Sequence, residues 1–438
     1  MRDPNDTADI SSATSQTKQD SSKGGRVRRF FSELGPGLIT GAADDDPSGI
    51  STYSVTGAAF GYAQLWTVFF AFPLMTAVQL MCARLGLVSG RGLAGVIRIR
   101  YPRWVLWGGC ALLAAANIVN IGADLGGMAA AMEMMTGIRA YVWTPLLTLL
   151  IVVLLIWSRY RHIARVFKWL TLVLFAYVAA AILARPHWTE VLRATVVPHI
   201  EWNTTYIATF VAILGTTISP YLFFWQTEQE VEEERAMGRR TIRARRGATD
   251  EELRAARTDV ITGMVFAGVV MYFIILTTGA TLYRSGHRDI ETARQAAEAL
   301  RPVAGNGAYL LFTIGLVGTG MLGVPVLAGS AAYAIAEAMH WRGSLDDRPT
   351  VSPKFYAVLT ASMCLGLALE YLNLNPVRML FYAAVVNGVL APPLIILVTM
   401  LTSDAKVMGS RVNGPVMKWM GWVTAAVMIA ATIAMVVV

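Results

Sequence analysis

Three consecutive acids, Asp44-Asp45-Asp46, precede Pro47-Ser48-Gly49 inside an otherwise apolar stretch of the chain. A charge in such a stretch costs roughly 3 kcal/mol, so ionisable groups there are functional candidates by default. Successive acids cover about 200° of a regular helix and cannot share one face. A proline removes a backbone donor, so a broken helix at Pro47 resolves the conflict. Leu214-Gly215-Thr216-Thr217-Ile218-Ser219-Pro220, farther along, is a second interruption of the same kind. Non-helical backbone at membrane depth is tolerable only where it lines a cavity or is buried in protein, and its freed carbonyls can then hold a cation. Asp46, beside the proline, is the expected central ligand. Backbone carbonyls near Ala43 and Thr216 and the Ser219 hydroxyl would assist, with Asp45 or Asp44 drawing cations in. Asp124 is another deep acid, suited to carrying a proton. Asn387 and Thr217 are further polar candidates, Asn387 as a hydrogen bond between helices.

Composition sets the scaffold for these residues. The chain has 438 residues, 55% hydrophobic and only 15% charged, which excludes a pair of water-soluble domains. Eleven apolar segments are long enough to span a bilayer, at roughly 34–56, 62–83, 104–135, 142–158, 166–184, 204–226, 258–283, 308–339, 354–372, 376–402 and 415–438. The fourth is the shortest fit. The N-terminal tail and every second loop hold 29 of the 37 Lys and Arg, which predicts a cytoplasmic N-terminus and an outside C-terminus. The formal net charge of +8 is therefore a topology signal, and nucleic acid is not an expected partner. Residues 1–29 read as a disordered cytoplasmic tail ending in Lys23, Arg26, Arg28 and Arg29. Residues 30–403 form the membrane core, and 404–438 an additional helix. Cys82, Cys110 and Cys364 are an odd, scattered set with neither disulfide nor zinc spacing. Thr249 and Glu252 have capping-box spacing for a short helix in the most basic loop. Glu133, Glu337 and Glu370 stand near segment ends and are expected to need no special role.

Two Pro- or Gly-interrupted helices at matching places in two halves point to an inverted repeat with a midplane site. At these residues the chain resembles the Nramp family of proton-coupled divalent metal transporters. Gly35-Pro36-Gly37 is followed by Asp46-Pro47-Ser48-Gly49, where the family has Gly-Pro-Gly and then Asp-Pro-Gly-Asn. Gly61-Tyr62-Ala63-Gln64-Leu65-Trp66, Gln79 and Arg84-Leu85-Gly86-Leu87-Val88-Ser89-Gly90 are similar to the family's second helix and the segment after it. The likeness covers about residues 33 to 400. It implies an all-α polytopic membrane protein of about eleven transmembrane helices, a LeuT-like 5+5 inverted repeat with helices 1 and 6 unwound.

The departures concern the metal site that the resemblance implies. Gly49 stands where the family has its asparagine ligand, Ser219 where it has methionine, and Tyr221 where it has a histidine. Asp124 matches a family acid of the third helix, while Ile121 replaces the acid one turn earlier. Only Asp46 carries over unchanged. Replacing a thioether by a hydroxyl hardens the site, and a partly hydrated oxygen site suits Mg²⁺.

The expected function is secondary active transport of divalent cations, Mn²⁺ and Fe²⁺ or Mg²⁺, into the cytoplasm by alternating access. Proton coupling would run through Asp124, with Tyr221 in the histidine's place. A non-transporting metal sensor and an organic-substrate carrier of the same design are the alternatives. No enzyme is expected and no catalytic residue is assigned: a membrane aspartic protease would need a Gly-x-Gly-Asp pattern that is missing. No cofactor is expected beyond the transported metal. The partners are the metal and the lipid bilayer, and the location is the cell inner membrane.

Overall fold

The computed structural model describes residues 35–157, 171–372 and 375–438. The expected tail of residues 1–29, and the basic loop with Arg159, Arg161, Arg165 and Lys168, lie outside the described residues. Helices account for the spanning segments. The first segment is two helices, α1 (Pro36–Asp44) and α2 (Pro47–Phe60). The next are α3 (Trp66–Ser89), the short α4 (Leu93–Arg100), α5 (Arg103–Thr136), α6 (Ala140–Trp157) and α7 (Ala176–Leu183). The second half begins with another pair, α8 (Thr204–Thr217) and α9 (Pro220–Ala236). It continues with α10 (Asp250–Thr278), α11 (Ala308–Ala338), α12 (Pro353–Glu370) and α13 (Pro376–Thr402), before a final helix α14 (Pro415–Val437). Among the described residues, eight spans are long and apolar enough to cross a membrane, one of them the broken pair α8 and α9 taken together. The other three segments are the broken first one, the fifth, described only from Thr171 on, and α12 with 18 residues.

Local sequence explains the helix starts. Proline opens α2, α9, α12, α13 and α14, where its missing N–H would be unpaired in any case. Asn203 caps α8 by accepting from Tyr206 N at 2.8 Å, and Asn375 caps α13 from Arg378 N at 3.1 Å. Thr249 and Glu252 do form a capping box, but it opens the 29-residue α10 and not a short helix. The polar turns from Asp250 to Arg257 run without a breaker into the apolar stretch beyond them, so the helix propagates.

Packing follows the repeat. In each half the broken first helix lies against the second helix of the other half: α1 and α2 on α10, α8 and α9 on α3. The long α5 packs on α11, α12 and α13. Small residues permit the closest crossings. A side-chain carbon on Gly41 would stand 2.2 Å from the Gly263 carbonyl of α10, and one on Gly215 of α8 would stand 2.0 Å from the Ala384 carbonyl of α13. Both broken helices are thereby held backbone to backbone beside their breaks.

Candidate metal site

The two breaks have the same construction. Asp46 (φ −67°, ψ 174°) is the N-cap before Pro47, and Ser219 (φ −76°, ψ 134°) is the N-cap before Pro220. A residue before proline is pushed out of the helical region into an extended one, which ends α1 and α8 and restarts α2 and α9. Each break thus joins a C-terminal, carbonyl-rich helix end to an N-terminal, amide-rich one. The first favours cations and the second steadies a carboxylate.

Asp46 is 1% exposed. Its Oδ1 accepts from Gly49 N at 2.8 Å and Ser48 Oγ at 2.7 Å, both in the first turn of α2. Among the described residues its Oδ2 accepts from the Tyr221 hydroxyl, at 3.2 Å, and that hydroxyl is also 3.0 Å from the Ala43 carbonyl. One hydroxyl proton therefore serves two acceptors across the break. Ser219 Oγ turns back to the carbonyls of Gly215, at 2.8 Å, and Thr216, at 2.7 Å.

This differs from the expected ligand set in one respect. The Ala43 and Thr216 carbonyls and the Ser219 hydroxyl are engaged with the protein itself, because a freed carbonyl in an apolar interior takes the nearest donor. The groups left open are carboxylates. Neither oxygen of Asp44 or Asp45 has a hydrogen-bond partner among the described residues, and both residues are 0% exposed. No Lys or Arg forms an ion pair with Asp44, Asp45, Asp46 or Asp124 among the described residues. Four acids stand in an apolar bundle without a protein cation.

Gly49 fills its part by what it omits. A side-chain carbon there would meet the Asp44 carbonyl and Thr216 Oγ1, each at 3.1 Å, so the space that a longer side chain would claim is occupied by the Thr216 hydroxyl. Asp124 on α5 stands beside them, and neither of its carboxylate oxygens has a hydrogen-bond partner among the described residues. Gly323 of α11 lies against both acids: a carbon on it would be 3.1 Å from Asp46 Cβ and 3.9 Å from Asp124 Oδ2. The structure therefore brings Asp44, Asp45, Asp46, Gly49, Asp124, Thr216, Ser219 and Tyr221 together. Thr217 bonds the Ile213 carbonyl at 2.8 Å, as a helical threonine does. Asn387 exchanges two hydrogen bonds with Asn120, at 2.9 and 3.1 Å, tying α13 to α5.

Several supporting residues were not legible in the sequence. Asp259 of α10 accepts from Gly37 N at 2.6 Å and Leu38 N at 3.2 Å and so caps α1 from another helix. Gln226 of α9 accepts from Thr40 Oγ1 at 2.6 Å and donates to Glu230 at 2.9 Å. Asp259 at the polar end of an apolar segment was the available signal, but no spacing links it to a residue 222 positions earlier. Glu337, expected to need no role, caps α4 through Gly92 N and Gly95 N, both at 2.8 Å.

The family model described as "Natural resistance-associated macrophage protein-like" (Nramp) matches residues 37–438. The chain belongs to the Nramp family. Among solved structures, this Nramp chain is similar to the Eremococcus coleocola manganese transporter in complex with an aromatic bis-isothiourea substituted compound. That likeness has 20% identity, a TM-score of 0.70, and coverage of 93% of this chain and 86% of the other. It is also similar to MhsT in complex with L-phenylalanine, at 13% identity and a TM-score of 0.59, covering 92% of this chain and 97% of that one. A nucleobase-cation-symport-1 family transporter, Mhp1, in a closed conformation with bromovinylhydantoin bound, matches at 16% identity and a TM-score of 0.55, over 92% of each chain. At these identities the likeness is one of fold, and it extends to proteins solved with organic molecules bound. This Nramp chain is a multi-pass membrane transporter with the 5+5 LeuT-like architecture and unwound first and sixth helices.

Proposed function

We propose that this Nramp-family chain is a secondary active carrier of divalent metal cations, with Asp46 as the central ligand. The observation that carries the site is the pair of proline-started helix breaks meeting at a buried carboxylate that no protein cation neutralises. Asp46 Oδ2 is the oxygen a metal would take, by displacing Tyr221. Asp45 and Asp44 supply further negative charge, and Ala43, Thr216 and Ser219 can contribute oxygens once their internal hydrogen bonds exchange for the ion. Every group offered is an oxygen, and Gly49 adds no ligand of its own. A hard cation that keeps part of its water shell suits such a set, which favours Mg²⁺ over the softer Mn²⁺ and Fe²⁺. Uptake runs toward the cytoplasm, with the N-terminus cytoplasmic in an inner membrane. The carrier core spans residues 30–403, and the last helix is an addition to it. Asp124 is the group placed to carry a coupled proton.

The organic-carrier reading has the fold likeness in its favour but not the acids, since an anionic organic substrate would meet four carboxylates. Uptake of Mn²⁺, Mg²⁺ and Ca²⁺ into sealed proteoliposomes, with internal pH recorded, tests the proposal. Metal binding without uptake would identify a sensor and overturn it.

A further inference from the structure

A crevice of about 980 Å³ opens between α3, α10 and α14, lined by none of the residues of the metal site. Its walls are apolar, with Phe72, Leu80, Ile261 and Met420 among them, and one end carries Arg84, Arg254 and Arg257. Those arginines stand in the last turns of α3 and the first turns of α10, at the end of the bundle that bears the basic loop with Arg235 to Arg246. Along α3 the lining runs from Arg84 back to Phe72, about 18 Å at 1.5 Å per residue.

Among the described residues, no acid pairs with the charges at the mouth. Arg84 donates to Asn413 Oδ1 at 2.9 Å and to the carbonyls of Arg411 and Val412. Arg254 donates to the Asp250 carbonyl of its own helix at 3.1 Å. The one acid lining the crevice, Asp250, is paired with Arg411. None of the three guanidiniums forms an ion pair among the described residues. Deeper in, the Thr76 hydroxyl is buried with no hydrogen-bond partner among the described residues.

A long apolar slot with three arginines at one end that pair with no acid among the described residues matches an amphiphile with an anionic head and acyl chains. We infer that this crevice is a binding site for an anionic phospholipid. Arg254 and Arg257 hold the phosphate, Arg84 adds charge behind them, and the acyl chains lie along Phe72, Leu80, Ile261 and Met420. Assigning the lipid to the cytoplasmic leaflet rests on the proposed orientation, whereas binding itself does not depend on the transport reading. Basic pockets between helices at a membrane surface recognise headgroups in this way. The site also touches the mechanism, because α10 is the helix whose Asp259 caps α1.

The test is native mass spectrometry of the full chain released from micelles containing equal phosphatidylglycerol and phosphatidylcholine, with no metal present. Phosphatidylglycerol should be retained selectively. Arg254→Gln with Arg257→Gln should weaken retention about 25-fold, at roughly five-fold for each arginine at a membrane surface. Arg240→Gln with Arg243→Gln, in the loop outside the crevice, should leave retention unchanged. Glycerol 3-phosphate in excess should not displace the lipid, which separates a lipid site from a phosphate site. Ala256→Phe, which fills the crevice from an exchangeable lining position, should abolish retention while the protein elutes as before on size exclusion. Equal retention of phosphatidylcholine, or retention unaffected by the crevice variants, would overturn the inference.

Discussion

Replacing Tyr221 by phenylalanine should make the metal bind more tightly while slowing its transport. In the structure the Tyr221 hydroxyl lies 3.0 Å from the Ala43 carbonyl and 3.2 Å from Asp46 Oδ2, so it occupies two oxygens that the metal needs. Metal binding must displace that hydroxyl, and the cost is one hydrogen bond, since a single proton is shared. Hydrogen bonds to charged groups are worth about 1.5–3 kcal/mol and neutral ones about 0.5–1.5. The shared geometry points to the middle of that span, about 1.5 kcal/mol, or roughly ten-fold in Kd. Tyr221→Phe keeps the ring that is buried against the core and removes only the oxygen. Isothermal titration of the purified protein with Mn²⁺ and Mg²⁺ should therefore give a Kd about ten-fold lower. Uptake should slow, because the same hydroxyl also links α9 to the end of α1 and helps the two breaks move as a unit. A weaker Kd would refute the reasoning: Tyr221 would then be holding the ligands in place for the metal and not competing with it.

Further predictions concern the groups that position the site. Gly323→Ala places a carbon 3.1 Å from Asp46 Cβ, and should abolish uptake and lower stability by about 1 kcal/mol, measured as a fall in Tm, since one methyl must be absorbed at a tight crossing. Asp259→Asn removes the charged cap from α1 and should lower stability by about 1 kcal/mol. It should also raise labelling of a cysteine introduced in α1 by a cytoplasmic-side reagent, read by mass shift. Gly92→Ala would put a carbon 2.0 Å from Glu228 Oε2 and 2.4 Å from Glu337 Oε2, and should destabilise by about 1–3 kcal/mol, measured as a fall in Tm. Asn387→Leu breaks the reciprocal pair with Asn120 and leaves the buried Asn120 Oδ1 without its donor, while its amide nitrogen keeps the Ala116 carbonyl; it should cost about 1–3 kcal/mol with metal affinity unchanged.

The parts of the fold legible in the sequence were those written in local chemistry. Pro47 follows three consecutive acids and Pro220 a Gly- and hydroxyl-rich stretch, so both breaks and the position of Asp46 could be read from the chain; a proline alone would not have sufficed, since Pro73, Pro145, Pro325, Pro392 and Pro393 stand inside helices. Apolar runs and arginine-bearing loops likewise gave the spanning segments, although the fifth is described only in part. What could not be read was partnership over long separations. Asp259 with Gly37, Gln226 with Thr40 and Glu337 with Gly92 join residues 186 to 245 positions apart, and none has a local signature. The same limit explains the ligand set. A broken helix frees carbonyls, and Ser219 takes its own locally, but whether Tyr221 takes the Ala43 carbonyl, 178 positions away, depends on where the next helix lies. Thr249 and Glu252 show the opposite case, a local signal read correctly as a cap while the length of the helix was set by the apolar residues beyond it.

The central claim is that Asp46 is the ligand of a transported divalent cation. It is tested most directly by uptake into proteoliposomes by the wild type and by Asp46→Ala, with Mn²⁺ and Mg²⁺ in competition. Mg²⁺-sensitive metal uptake is expected in the wild type, and none above protein-free vesicles in the variant. Normal uptake by Asp46→Ala would contradict the site, and Mn²⁺ uptake untouched by excess Mg²⁺ would contradict the hard-cation reading of it.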